Sequence, residues 1–196
     1  MPINTLFRYT TMKIIDLTVK IDEKLPVYPG DPKPELKKIS TTESHGWNSE
    51  KLVMSSHAGT HMDAPFHMIE KGKKLDEFPV DHFCGEGIVL DINNDLSKIR
   101  ENDIVLFCTG NAEAAFLDKS TVLKLIEKKV KIVGIDSPSP DAPPFDIHKM
   151  LFQNNILIVE NLTNLEKLKG KRCTFFILPL KINASGAPCR AIAVLE

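Results

Sequence analysis

One short stretch carries most of what the sequence says about fold and function: Ser56-His57-Ala58-Gly59-Thr60-His61-Met62-Asp63-Ala64-Pro65-Phe66-His67. Its last eleven residues hold three imidazoles and one carboxylate, at His57, His61, Asp63 and His67. A glycine and a proline interrupt the stretch, which argues against a single regular helix through it. We expect a strand end that turns into a loop at Gly59, because glycine lets the backbone turn sharply and the side chains converge.

Two neutral imidazoles and a carboxylate form a mixed nitrogen and oxygen ligand set. Such a set suits Zn²⁺, Mn²⁺ or Fe²⁺ rather than a metal that prefers thiolates. Three protein ligands leave a coordination position open, where bound water has a pKa near ~7 and supplies hydroxide for attack on a carbonyl. The alternative is a polar loop whose histidines cluster without a function. The pattern favours a catalytic divalent metal, zinc before manganese.

Length and charge exclude several other classes of protein. The chain has 196 residues, 25 basic and 26 acidic, and a formal net charge of −1. This balance gives no electrostatic case for a nucleic-acid or membrane partner, and no apolar run approaches the ~20 residues of a membrane span. Four widely spaced cysteines and no secretory signal predict reduced thiols and a cytoplasmic protein. We expect Met1–Thr11 to be a disordered extension and residues 12–196 to form one domain.

Short apolar runs between Pro and Gly predict more strands than helices. The result is an α/β or α+β domain with a mixed sheet, helices on one side and long loops that carry the site. The predicted strands are Ile14–Val19, Glu35–Ile39, Glu50–Ser56, Gly87–Asp91, Asp103–Thr109, Lys131–Asp136, Ile156–Glu160, Cys173–Leu180 and Cys189–Leu195. The predicted helices are Ser120–Lys129, capped by Ser120 or Thr121, and Asp146–Phe152.

The pattern His-x-Gly-Thr-His-x-Asp-x-Pro-x-His resembles the signature of the metal-dependent hydrolases grouped as the cyclase family, which has formamidase and isatin hydrolase branches. The resemblance extends from about Met12 onward. It includes the segments Tyr28–Pro32, Thr109–Asn111, Gly134–Ser139, Pro179–Lys181 and Gly186–Ala191. It implies an α/β fold of the swivelling β/β/α type, with a mixed sheet in a single domain.

The resemblance also assigns roles to individual residues. It implies five metal ligands: His57, His61, Asp63, His148 and Glu160. Asp63 would bridge a first ion to a second, for one or two ions per subunit, and His67 would act as general acid/base. His148 and Glu160 stand twelve residues apart, as in the formamidase branch. Asp136 reads as structural, while Thr60 and Ser137 either orient ligands or form turns.

The activity implied is that of an arylformamidase, which hydrolyses N-formylkynurenine to kynurenine and formate. Two alternatives stay open: hydrolysis of another cyclic amide, lactam or ester, and metal-dependent binding without turnover. His67 argues against the second, because a pure binder needs no acid/base beside its ligands. Tyr28 stands where the formamidase branch commonly has Trp, which weakens the case for kynurenine.

Two further expectations concern the surroundings of the site. Trp47 could stack on an aromatic substrate, or it could anchor a loop onto the core or onto a partner subunit. The resemblance implies a homodimer or higher homo-oligomer in which loops of one subunit close the site of the other.

Overall fold

A computed structural model describes residues 12–92, 95–110 and 116–195, and within these ranges it has ten strands and three α-helices. The strands are β1 Lys13–Asp16, β2 Glu35–Ser40, β3 Ser49–Val53, β4 His61–Asp63, β5 Cys84–Asp91, β6 Ile104–Cys108, β7 Ile132–Ile135, β8 Leu157–Glu160, β9 Arg172–Pro179 and β10 Gly186–Leu195. The helices are α1 Thr42–His45, α2 Lys119–Glu127 and α3 Asp146–Gln153. The predictions for Met1–Thr11 and Asn111 lie outside the described residues.

Seven of the strands close into a ring. The order is β10-β4-β8-β7-β6-β5-β9, and β9 pairs again with β10. β5, β6, β7 and β8 run parallel, while the pairs involving β4, β9 and β10 are antiparallel. β1 adds to β10 outside the ring. The predicted α/β mixed sheet is confirmed, and the sheet is barrel-like.

Side-chain alternation along the parallel strands builds two apolar cores. In β6, Ile104, Leu106 and Cys108 face the interior of the ring, and Val105 and Phe107 face the layer of helices. Successive side chains of a strand point to opposite faces, so a strand that is covered on both sides is apolar throughout. This is why the β-branched runs were recognisable as central strands.

Helix α2 differs from its predicted start. Asp118, not Ser120 or Thr121, is the N-cap: its carboxylate accepts from the Thr121 N–H at 2.8 Å and from the Ser120 hydroxyl at 2.6 Å. The predicted cap was therefore wrong, because a carboxylate two residues before Ser120 reaches a free N–H group of the first turn. Val122 and Leu125 then face the core, as the apolar stripe predicts.

The strand predicted over Glu50–Ser56 is shorter in the structure, where it spans Ser49–Val53. β3 ends at Val53 and, within the described ranges, pairs only with β2, in a two-stranded hairpin outside the ring. Residues 54–60 form a loop that leads into β4. The loop therefore precedes a strand, whereas we had expected a strand to run into His57.

The ends of β6 and β7 are joined by Asp136. Its carboxylate accepts from the Thr109 N–H at 2.7 Å, the Thr109 hydroxyl at 2.6 Å and the Gly110 N–H at 3.2 Å. These bonds are structural, as expected of Asp136. Among the described helices, none has the length and apolar character needed to cross a bilayer.

Candidate active site

The loop before β4 turns at Gly59, whose φ of +66° lies in the left-handed region that favours glycine. His61 and Asp63 follow two residues apart in β4, and both are buried. Residues at this spacing share one face of a strand. β8 lies beside β4 with Glu160 directly opposite His61, so pairing of the two strands brings the three side chains together.

Helix α3 supplies His148, which is buried. The helix has no cap from the residue that precedes it, because Phe145 has a φ of +61° and makes no capping bond. Asp141 serves instead: its carboxylate accepts from the Ile147 N–H at 2.7 Å and hydrogen-bonds the Nδ1 of His148. Sequence reasoning missed Asp141, since an acidic residue seven positions before a histidine has no recognisable pattern.

Two overlapping groups of side chains could hold an ion. Within each group the candidate ligand atoms lie within 4.8 Å of one another. The groups are His57, His61 and Asp63, and Asp63, His148 and Glu160. Because Asp63 belongs to both, the arrangement allows a carboxylate bridge between two ions.

Three distances between these candidate ligand atoms fit a divalent cation. The His61 Nε2 lies 3.3 Å from Asp63 Oδ1 and 3.3 Å from Glu160 Oε2, and the His148 Nε2 lies 3.3 Å from Glu160 Oε1. Two ligand atoms about 2.0–2.1 Å from a tetrahedral ion are about 3.3 Å apart. The Nδ1 of His61 faces the Gly59 carbonyl at 2.9 Å. A proton held there leaves the Nε2 lone pair directed at the carboxylates.

His57 is held differently from the other imidazoles. Its Nδ1 makes a direct hydrogen bond of 2.7 Å with Asp63 Oδ1, and its Nε2 lies 3.1 Å from the Ser185 hydroxyl. Gly186 leaves the space for this contact: a Cβ there would lie 2.5 Å from His57 Cε1 and 3.0 Å from Asp63 Oδ1. Sequence reasoning missed Ser185 and the steric role of Gly186, because they reach the site from the other end of the chain.

Burial and charge compete in setting the pKa values of the cluster. Burial lowers the pKa of His61, but the carboxylates of Asp63 and Glu160 outweigh it and hold that pKa well above its ordinary value. Burial likewise lowers the pKa of His148, but hydrogen bonds with Asp141 and Glu160 raise it to about 9. The carboxylates therefore favour the protonated form of these two imidazoles.

His67 lies beside the cluster without joining either group of possible ligands. It ends a 3-10 turn, Pro65–His67, and its ring centroid is 4.3 Å from that of His57 and 6.4 Å from that of His148. Its ring nitrogens have no hydrogen-bond partner among the described residues. Partial burial is the main cause that lowers its pKa below the ordinary value. A neutral imidazole facing a cavity can accept a proton at neutral pH.

The cluster opens into a cavity of about 710 Å³. This volume lies within the range of small-molecule sites. Aromatic and apolar side chains form much of its wall: Val27, Tyr28, Met68 and Phe145, with prolines on both sides. Tyr28 therefore lines the site as a single aromatic ring where the formamidase branch commonly has an indole.

Three other residues singled out in the sequence lie outside the two groups of candidate ligands. Trp47 is 60% exposed and contacts the His45 ring, and it does not line the cavity of its own chain. The Thr60 hydroxyl donates to the Asn161 carbonyl at 2.6 Å and accepts from the Val19 N–H, so it ties three segments behind the site. The Ser137 hydroxyl donates to the Ser139 carbonyl within a turn.

Known proteins resemble this chain over most of its length. The family described as "Putative cyclase" matches residues 15–142. The kynurenine formamidase of Bacillus thuringiensis (strain Al Hakam) is 31% identical, over 93% of this chain and 97% of that protein.

Solved structures share the architecture. A potential metal-dependent hydrolase with cyclase activity has a TM-score of 0.76 at 28% identity, covering 94% of this chain and 98% of that one. An isatin hydrolase bound to the product analogue thioisatinate has a TM-score of 0.83, covering 94% and 93% of the two chains. Its 23% identity supports the shared fold alone. With the buried histidine and carboxylate cluster in place, these likenesses show that the chain belongs to the cyclase family of metal-dependent hydrolases.

Proposed function

We propose that the protein is an arylformamidase that hydrolyses N-formylkynurenine to kynurenine and formate. The observation that carries the proposal is the pair of ligand groups sharing Asp63, with His148 and Glu160 in the second group, beside a cavity with aromatic walls. Similarity to a kynurenine formamidase over almost the whole of both chains supports the same substrate. The finer assignments, zinc before manganese and a homo-oligomer, belong to this proposal.

In this reaction the carbon–nitrogen bond of the formamide breaks, and the oxygen of water bonds to the formyl carbon. The proposed ligands are His57, His61, Asp63, His148 and Glu160. A divalent cation held by them supplies Lewis acidity, which polarises the carbonyl and lowers the pKa of water. The protein's own contribution is to orient the imidazoles and to keep Asp63 ionised, as its lowered pKa indicates.

His67 is the proposed proton carrier. It lines the cavity, and its lowered pKa keeps it neutral near pH 7. It would take a proton from the attacking water at a ring nitrogen and pass it to the departing arylamine nitrogen. The leaving amine is then neutral, and His67 returns to its starting state.

The test combines metal analysis with kinetics. The purified protein should hold one or two divalent ions per chain by elemental analysis and hydrolyse N-formylkynurenine with a kcat/KM above ~10⁴ M⁻¹s⁻¹. Asp63→Ala should lose the metal and the activity together, while Asp81→Asn, at an exposed position outside the cavity, should keep both. Retained metal without turnover of any amide, lactam or ester would indicate a binding protein and contradict the proposal.

A substrate panel separates the proposal from its nearest alternative. Isatin is a cyclic amide, so its ring opening leaves the amine attached to the product, whereas a formamide releases formate. If isatin or another lactam is hydrolysed at least tenfold faster than N-formylkynurenine, the arylformamidase assignment is wrong and the ring-opening one replaces it.

A further inference from the structure

Asp31 is a carboxylate in the cavity wall that the hydrolytic chemistry does not use. It is half-buried and lines the same cavity as the proposed ligands. Its carboxylate has no hydrogen bond or ion pair with any residue in the described ranges. The turn that contains it is closed by its backbone, since the Asp31 N–H donates to the Tyr28 carbonyl at 2.9 Å. The side chain is therefore not needed to hold the turn.

The charged side chains that line the cavity are mostly acidic. Among the described residues that line it, no lysine or arginine is present, and the carboxylates are those of Asp31, Asp63 and Glu160. Asp63 and Glu160 face the imidazoles of His61 and His148. Asp31 is the lining carboxylate that faces none of these imidazoles, so it can attract a cationic group locally, and the described lining offers no lysine or arginine for a substrate carboxylate.

The segment that carries Asp31 is fixed to the site. Leu25 is buried, and together with Val19 and Ile21 it packs on Gly59: a Cβ on Gly59 would lie 3.2–3.5 Å from these three side chains. The turn that follows is thereby anchored to the loop that holds His57. Preorganisation of this kind lets one carboxylate discriminate between ligands, because little ordering is needed on binding.

We propose that Asp31 is a specificity residue that binds an ammonium group on the substrate. The substrate class is then an aromatic formamide whose side chain carries a protonated amine. This inference rests on the proposed function, which supplies the formamide bond that is cleaved. The recognition of the ammonium group rests on Asp31. A zwitterion such as N-formylkynurenine would place its ammonium at Asp31 and its carboxylate toward solvent.

The binding test needs no turnover. Isothermal titration of the metal-loaded protein would compare kynurenamine, a cationic arylamine, with 2′-aminoacetophenone, which has the same ring and ketone but no ammonium. The wild-type protein should bind kynurenamine about tenfold more tightly, and Asp31→Asn should remove most of that difference, because a charged hydrogen bond is lost. Asn can keep the backbone turn. Asp81→Asn, outside the cavity, is the matched control and should change nothing.

The kinetic test uses the corresponding N-formyl compounds. Asp31→Asn should raise KM for N-formylkynurenamine about tenfold, with kcat nearly constant, and leave the kinetics of 2′-formamidoacetophenone unchanged. An equal loss for both compounds would mean that Asp31 only supports the cavity, and no loss would mean that it does not touch substrate; either overturns the inference. If no formamide is hydrolysed but Asp31-dependent binding of kynurenamine persists, the arylformamidase proposal fails and the recognition of ammonium stands.

Discussion

Asp63 shows how much the proposed chemistry depends on single side chains. It is almost completely buried, it contacts two imidazoles, and both groups of possible ligands include it. A buried carboxylate costs free energy unless it is paired. Here His61 and His57 outweigh burial and lower its pKa, so it stays ionised and available to a cation.

Replacement of His67 tests whether this residue carries protons without binding the metal. His67→Ala should lower kcat by about 10²–10⁴, because a positioned acid/base contributes that much, while the metal content stays constant. Steady-state kinetics and elemental analysis of the same preparation would measure the two effects. His45→Ala, on α1 away from the cavity, is the control. Full activity of His67→Ala would exclude the assigned role.

Gly186 tests the steric argument. Gly186→Ala should weaken metal binding at least tenfold, because the new Cβ would lie 2.5 Å from His57 Cε1 and displace the imidazole. Titration against a chelating dye would measure the affinity, and thermal unfolding would check that the fold is intact. Ser185→Ala, which adds no atoms, should have a smaller effect. Equal affinities of Gly186→Ala and the wild type would show that His57 is free to move aside.

The sequence indicates some site residues well and others not at all, for a physical reason. His57, His61 and Asp63 are close along the chain, so spacing and residue type predicted their convergence, and the structure brings them together. The role of His67 came from the family resemblance. Ser185 and Gly186 reach the site by strand pairing across more than 120 residues, and common residue types at that separation leave no pattern.

Helix α3 and the segment before it act as one unit. Asp141 replaces the missing N-cap and at the same time orients His148. A carboxylate that hydrogen-bonds a ligand histidine fixes the tautomer and raises the basicity of the ligand. Helix stability and the orientation of His148 are therefore coupled through one side chain.

Asp141→Asn separates these two roles, because the amide oxygen can still accept from the Ile147 N–H. We expect metal affinity to fall about 10–100-fold, with a small change in the unfolding midpoint. Asp141→Ala should lower the unfolding midpoint as well, since the cap is also lost. Chelator competition and thermal unfolding measure these effects. If Asp141→Asn kept wild-type affinity, the contact with His148 would have no part in metal binding.

Local patterns predicted most elements but not their closure into a ring. The runs Ile104–Cys108 and Leu157–Glu160 are apolar throughout, which indicates strands that are covered on both sides. The ring closes where β9 pairs with β10. That pairing depends on how two long strands align with each other, and no pattern in a single sequence encodes this alignment. Likewise, the sequence predicts a strand at β3 without saying that it pairs with β2, apart from the ring.

The folding stability of the metal-free protein should depend on pH differently from that of the metal-bound protein. The raised pKa values of His61 and His148 mean that the metal-free fold gains stability from bound protons below about pH 6.5. It loses that stability as the pH rises through the folded-state pKa, which is about 9 for His148. A bound cation replaces those protons.

The difference in Tm between metal-loaded and chelator-treated protein should therefore widen between pH 6.5 and 9. Calorimetry in buffers of different ionisation enthalpy should also detect proton release on metal binding at pH 7, and apparent affinity should rise up to tenfold per pH unit for each proton released. His148→Gln should reduce the number of protons released when the metal binds. A Tm difference that narrows with rising pH would contradict this account.

The closing strand has a consequence for how the protein is made. β10 pairs with β1, β4 and β9, and its first residue packs on His57 and Asp63. A ribosome delivers the histidine loop long before it delivers β10, so the nascent chain exposes its imidazoles without the strand that confines them. We therefore expect an ion held by the proposed ligands to reach its final geometry only after translation of β10, which would make metal loading a late step in biogenesis.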